Sequence, residues 1–158
     1  PWIIRAMKTR DVKNTYAIGK KEVSGVKYVF HGMPVIWIDY NKNTNEVFKK
    51  SADLLRQGKS IMIFPEGIRS DSGEMQEFKL GSAYLAKNIS RKIIPVTING
   101  TYDIWPPQKK FPEIFTKKRG SVVIHDKIDP ADYKTTESLM EKVRSEIAKG
   151  IDPDLNKK

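Results

Sequence analysis

Ser60-Ile61-Met62-Ile63-Phe64-Pro65-Glu66-Gly67-Ile68-Arg69-Ser70 is an apolar run that stops abruptly in proline, charge and glycine. The run has no polar alternation, which suits a short strand covered on both faces in a parallel sheet. Pro65 fixes one backbone angle and Gly67 permits a tight or positive-φ turn, so Glu66 and Arg69 are held just past the strand. In open α/β sheets ligands bind beyond the carboxyl ends of the strands, where loops aim side chains into a crevice. Arg69 offers a planar fork of donors suited to phosphate, and charge-assisted bonds of that kind contribute about 1.5–3 kcal/mol each. A plainer reading stays open, in which Glu66 and Arg69 pair with each other and staple the turn.

Outward from this stretch, short β-rich runs alternate with helical patterns. That alternation predicts an α/β fold, a single domain with a mostly parallel central sheet flanked by helices. Strands are expected at Thr15–Ile18, Val35–Asp39, Ser60–Phe64, Lys92–Ile98 and Ser121–Ile124. Asn45–Gln57 places Val47, Phe48, Ser51, Ala52, Leu54 and Leu55 on one side at helical spacing, with Thr44 to cap its start and Gly58 its end. Leu80–Asn88 gives a shorter helix. Thr136–Lys149 gives the last, with Leu139, Met140, Val143 and Ile147 inward and Gly150 as a stop. Residues 1–150 then form the domain, and 151–158 are a polar tail expected to fray.

A chain of 158 residues is one domain by length, and its 39% hydrophobic content suits a packed core. No apolar stretch approaches the roughly 18 residues needed to cross a bilayer. The absence of cysteine excludes disulfides, thiolate metal sites and a cysteine nucleophile, and is compatible with a reducing compartment. Lys and Arg number 29 against 19 Asp and Glu, and the net charge of +10 favours an anionic partner: phosphate, an acidic membrane surface or nucleic acid. No helix-turn-helix, zinc or RNA-binding signature accompanies the charge, which argues against nucleic acid.

Phe64-Pro65-Glu66-Gly67-Ile68-Arg69-Ser70 resembles the Phe-Pro-Glu-Gly-Thr-Arg-Ser block of the lysophosphatidic acid acyltransferase family, with Ile68 in place of the usual Thr. Further resemblances follow the family's order: Gly19-Lys20-Lys21-Glu22, Pro34-Val35-Ile36-Trp37-Ile38-Asp39, Phe78-Lys79-Leu80-Gly81 and Ile94-Pro95-Val96. Tyr40 stands where an Arg is common in the family, and whether Lys42 replaces that phosphate contact is open. The resemblance implies that Glu66, Gly67, Arg69, Ser70 and Lys79 bind the glycerol-phosphate substrate. Lys79 is the weaker candidate, since a lysine in a basic chain is commonly solvated, and the Gly67 amide could aim at an anion or elsewhere.

The family's general base is the His of a His-x-x-x-x-Asp motif. The two histidines here, His31 and His125, are followed five residues later by Ile36 and Pro130, so neither heads such a motif. The family spacing puts the motif just before Pro1, which makes the sequence a fragment with no catalytic residue of its own, and Pro1–Met7 the first turns of the helix after the motif. The implied reaction moves a fatty acyl group from acyl-CoA or an acyl carrier protein thioester to 1-acyl-glycerol 3-phosphate, giving phosphatidic acid. It needs no metal, bound cofactor or covalent enzyme intermediate. The implied location is the cytoplasmic face of a membrane. Tyr102–Arg119 interleaves Trp105, Phe111, Ile114 and Phe115 with Lys109, Lys110, Lys117, Lys118 and Arg119, a composition suited to anionic lipid. The same aromatics could instead fold back over the core. Glycerol 3-phosphate or another lysophospholipid as acceptor, and a non-catalytic lipid-phosphate-binding homologue, remain alternatives.

Overall fold

The computed structural model describes residues 13–20, 33–39, 42–106, 108–109 and 119–155. The expected helix at Pro1–Met7, together with Lys21, Glu22, His31, Tyr40 and residues 110–118, lies outside the described residues. Strands β1 (Thr15–Lys20), β2 (Val35–Ile38) and β3 (Ser60–Met62) form a parallel sheet in the order β2-β1-β3. Parallel pairing of Lys20 with Ile38 and of Ala17 with Met62 puts the carboxyl ends of all three strands on one edge. Both faces of β1 are covered. Ala17, fully buried, packs with Met33, Val35 and Met62 on one side, and Tyr16 and Ile18 meet Ile36, Ile38 and Val47 on the other. Gly19 is small for a packing reason, because a Cβ there would come within 2.9 Å of the Trp37 ring on the neighbouring strand.

Helix α1 (Thr44–Arg56) turns Val47 and Leu54 onto the sheet face formed by Ile36 and Ile38. The fully buried Ser51 satisfies its hydroxyl inside the helix, donating to the Val47 carbonyl at 2.7 Å. Thr44, expected as the cap, is the first helical residue, and Asn43 takes the cap position. The Asn43 side chain turns back to the sheet instead of capping: Oδ1 accepts from the Asp39 N–H at 2.7 Å and Nδ2 donates to the Trp37 carbonyl at 3.3 Å. At the other end Gly58 takes φ +79° as expected of it, donating to Leu55, while Lys59 donates to Leu54. Helix α2 (Gly81–Ile89) begins where the Gly81 Cα approaches α1 so closely that an added Cβ would lie 2.7 Å from Phe48 Cζ.

The expected strand over 92–98 is shorter. Ile93 makes an isolated bridge to Ile128, Pro95 has no N–H to give a ladder, and the regular strand β4 is Val96–Asn99. A single helical turn, α3 (Thr101–Ile104), follows; β5 (Ser121–Ile124) then pairs with β4 antiparallel. The parallel expectation therefore holds for β1–β3, while β4 and β5 form a separate two-stranded ladder. After a 3-10 turn at Pro130–Asp132, helix α4 (Thr136–Lys149) starts with a capping box between Thr135 and Ser138. Its Leu139, Met140 and Val143 join Phe78, Ala83 and Ile128 in the main core cluster. Each of these side chains larger than alanine contributes about 1.5–3 kcal/mol by leaving water.

Buried Asn99 fastens β4 to the end of α4. Its Nδ2 donates to Ser121 Oγ at 3.1 Å and to the Gly150 carbonyl at 2.9 Å, and its Oδ1 accepts from the Asp152 N–H at 3.1 Å. The start of the polar tail is thus pinned at Asp152, where fraying was expected. No helix of the described residues is long and apolar enough to cross a membrane.

Candidate functional site

The loop that leaves β3 lies on the edge where the three parallel strands end. Its first bend is closed by the Gly67 N–H donating to the Phe64 carbonyl at 3.1 Å, with Pro65 and Glu66 between them. Gly67 has φ +71°, a conformation that penalises a side chain, which is why glycine stands there. The Gly67 N–H, open to either use in the sequence, is committed to this turn. Next, the Lys79 N–H donates to the Pro65 carbonyl at 2.9 Å, so the loop's two ends are laced together by backbone. The Lys79 side chain is exposed.

Glu66 is half-buried, and its Oε2 accepts from the Gln76 N–H at 3.0 Å. Burial pushes the carboxyl above its usual range; the Gln76 bond and the positive charge of Arg144 pull the other way without cancelling that rise. Ser70 Oγ accepts from the Ser72 N–H at 3.3 Å and from Gln76 Nε2 at 3.3 Å. Gln76 therefore holds Glu66 with its backbone and Ser70 with its side chain. Arg69 is exposed, and its guanidinium carbon lies 5.1 Å from the centroid of the Trp105 ring. A cation over an aromatic face gains about 0.5–2 kcal/mol. The Trp105 indole N–H donates to the Lys109 carbonyl at 2.8 Å, which fixes the ring.

Of the expected site residues, Glu66 and Ser70 are brought together through Gln76, Gly67 shapes the bend, Arg69 stands on the outer side against Trp105, and Lys79 closes the loop through its backbone. Lys42 sits on the same sheet edge, in the turn where its N–H and that of Asn43 donate to the Asp39 carbonyl. His125 Nε2 lies 2.8 Å from Thr97 Oγ1.

A family model described as Acyltransferase matches residues 1–99, which take in β1 to β4 and the whole of this loop. The chain belongs to the acyltransferase family. It is 31% identical over 107 residues to a chloroplastic 1-acyl-sn-glycerol-3-phosphate acyltransferase of Arabidopsis thaliana, covering 68% of this chain and 29% of that protein. The enzyme of the same name from Borreliella burgdorferi is 32% identical over 108 residues, 65% of this chain and 41% of its own. A probable 1-acyl-sn-glycerol-3-phosphate acyltransferase of Mycoplasma genitalium is 30% identical over 122 residues, 72% and 45%. In fold, the chain is similar to the crystal structure of the 1-acyl-sn-glycerophosphate acyltransferase PlsC from Thermotoga maritima, with a TM-score of 0.71 and 24% identity over 87% of this chain and 55% of that one. The chain thus spans between 29% and 45% of the length of these curated relatives.

The parts that Gln76, Arg144 and Trp105 play around this acyltransferase loop escaped the sequence reading. Gln76 stands in a polar stretch with no motif. Arg144 is one of 29 basic residues and meets the loop across 68 positions of sequence, a contact no local pattern encodes. Trp105 was grouped with aromatics suited to lipid, yet its half-buried ring lies beneath Arg69. A lone tryptophan after an Arg-bearing loop carries no signal for that stacking.

Proposed function

We propose that the complete protein transfers a fatty acyl group from an acyl thioester, of coenzyme A or of acyl carrier protein, to the free hydroxyl of 1-acyl-glycerol 3-phosphate. The product is phosphatidic acid. The observation that carries the reading is the Phe64–Ser70 loop beyond β3, with Glu66 fixed on the Gln76 amide and Arg69 displayed on its outer side. Arg69 supplies donors for the phosphate, and Glu66, as a carboxylate, accepts from a hydroxyl of the glycerol unit; Ser70 and Lys79 complete the polar surround. Membership of the acyltransferase family and the names of the relatives support the same choice of chemistry.

In the step itself the acceptor oxygen forms an ester bond to the acyl carbon as the C–S bond breaks. The proton goes to a general base and from there to the departing thiolate. Neither histidine of the 158 residues heads a His-x-x-x-x-Asp motif, so the reading draws the base from residues preceding Pro1. Orientation of hydroxyl against thioester is where contacts to the phosphate gain rate.

The test is an acceptor and donor panel on the full-length protein. The highest kcat/KM is expected with 1-acyl-glycerol 3-phosphate, and Arg69→Ala should lower it by about 10- to 100-fold, the loss of one charge-assisted contact. Residues 1–158 alone should turn over at least about 100-fold more slowly, since a positioned base supplies about 10²–10⁴. A preference for glycerol 3-phosphate or another lysophospholipid would reassign the acceptor. Phosphate-dependent lipid binding without turnover would identify a non-catalytic homologue, and full activity from residues 1–158 would refute the upstream base.

A further inference from the structure

Arg144 lies in the middle of α4, beyond the residues that the family model matches, and reaches out of the helix to the loop that leaves β3. Its Nη1 donates to the Gln76 carbonyl at 2.6 Å, and its guanidinium carbon lies 5.4 Å from the centroid of the buried Phe78 ring. The same Gln76 gives its N–H to Glu66 Oε2 and its side-chain amide to Ser70 Oγ. One residue is therefore gripped from behind by Arg144 while it grips two loop residues in front. The helix that carries Arg144 is itself anchored, since Leu139, Met140 and Val143 share the core cluster with Phe78.

We infer that Arg144 is a positioning residue of the glycerol-phosphate site: by fixing the Gln76 backbone from α4, it sets where the Glu66 carboxylate and the Ser70 hydroxyl stand. This rests on the acceptor site proposed above. A guanidinium suits the task better than an ammonium because its broad cation can lie over the Phe78 ring while one N–H meets the carbonyl. Its charge also favours the ionised form of Glu66 against the effect of burial. Loss of a contact that holds substrate equally in ground and transition states raises KM and spares kcat, and that split separates positioning of the acceptor from general damage.

The experiment uses the full-length protein with Arg144→Met, which keeps a chain able to cover Phe78, and Arg144→Lys, which keeps charge and a donor. Steady-state kinetics are run with 1-acyl-glycerol 3-phosphate and an acyl-CoA, alongside thermal unfolding and hydrogen exchange of the backbone amides over 74–79. Arg144→Met is expected to raise KM for the acceptor by about tenfold, with KM for the acyl-CoA and kcat within about twofold. Exchange at the Gln76 amide should accelerate, and Arg144→Lys should recover part of both changes. An unchanged acceptor KM, or equal losses for both substrates that follow the drop in melting temperature, overturns the inference. So does unaltered Gln76 exchange, whatever the kinetics. A wild-type protein that acylates no glycerol-phosphate acceptor fails the functional reading instead, and the exchange measurement then still decides whether Arg144 holds the loop.

Discussion

Thr97 has one hydroxyl hydrogen and two neighbours in reach of it. The hydroxyl donates to the Ile147 carbonyl at 2.6 Å, so the 2.8 Å contact to His125 must be accepted by Thr97 Oγ1, which assigns the proton to His125 Nε2. Gly150 leaves room for the arrangement: a Cβ there would fall 2.5 Å from that hydroxyl oxygen. Thr97→Val keeps the shape and strands both partners, so it should cost about 1–3 kcal/mol, read as a lower urea midpoint at unchanged slope; Thr97→Ser should cost less, about 1 kcal/mol for a methyl group. Equal stability of the Val variant would deny the bond network. At this scale the sequence was informative about residues that follow one another and silent about those that meet across the fold. Glu66, Gly67 and Arg69 could be placed on one bend because Pro65 and Gly67 restrict the local backbone. That Glu66 answers to Gln76 and Arg144, or that Thr97 closes on His125, depends on tertiary contacts between segments with no shared pattern.

Helices read well because periodicity and stop signals are local. Gly58 ends α1 by the positive φ its type allows, and Gly150 follows the last turn of α4. The strand ends read less well, since apolar residues at 63–64, after β3, and 93–94, before β4, continue the composition of a strand beyond its ladder. Gly81 shows what a motif glycine does between elements: it lets α2 meet the Phe48 ring of α1. Gly81→Ala should therefore destabilise by about 1–2 kcal/mol despite the better helix propensity of alanine, because overpacking outweighs it. Phe48→Leu should relieve the clash, giving a double-mutant coupling of at least about 0.5 kcal/mol; additive losses would show that the helices do not meet there. Along α4, Lys142 and Lys149 both donate to Glu146 Oε1, at 2.6 and 2.7 Å, and lower its carboxyl to about 2. A depressed carboxyl stabilises above its ordinary value of 4.5 and loses that contribution as pH falls towards about 2. Glu146→Gln should accordingly be less stable than wild type near about pH 6 and converge with it near about pH 2; a gap that persists in acid would assign the effect to packing.

The whole molecule joins a three-stranded parallel sheet, readable from alternating strands and helices, to an antiparallel β4–β5 ladder that was not, because alternation alone does not fix the direction of each pair. A net charge of +10 surrounds both, and charge of that size draws the chain to any anionic surface. General attraction and local docking predict different outcomes. If the segment from Lys109 to Arg119 docks on lipid, its Lys109, Lys110, Lys117, Lys118 and Arg119 each contribute about 1 kcal/mol near the headgroups, less what salt screens. Neutralising those five with glutamine in the full-length protein should then cut partitioning onto phosphatidylserine vesicles by more than about 100-fold, and leave binding to neutral vesicles unchanged. Under general attraction the remaining positive charge still binds, and the loss is small and matched by five neutralised lysines taken from elsewhere on the surface. Trp105 has a second use to weigh against lipid, since its ring lies 5.1 Å from the Arg69 guanidinium carbon and its indole N–H donates to the Lys109 carbonyl. If the ring serves Arg69 alone, Trp105→Phe should leave vesicle binding intact while changing acceptor kinetics through Arg69. A loss of vesicle binding in Trp105→Phe would return that ring to the membrane face.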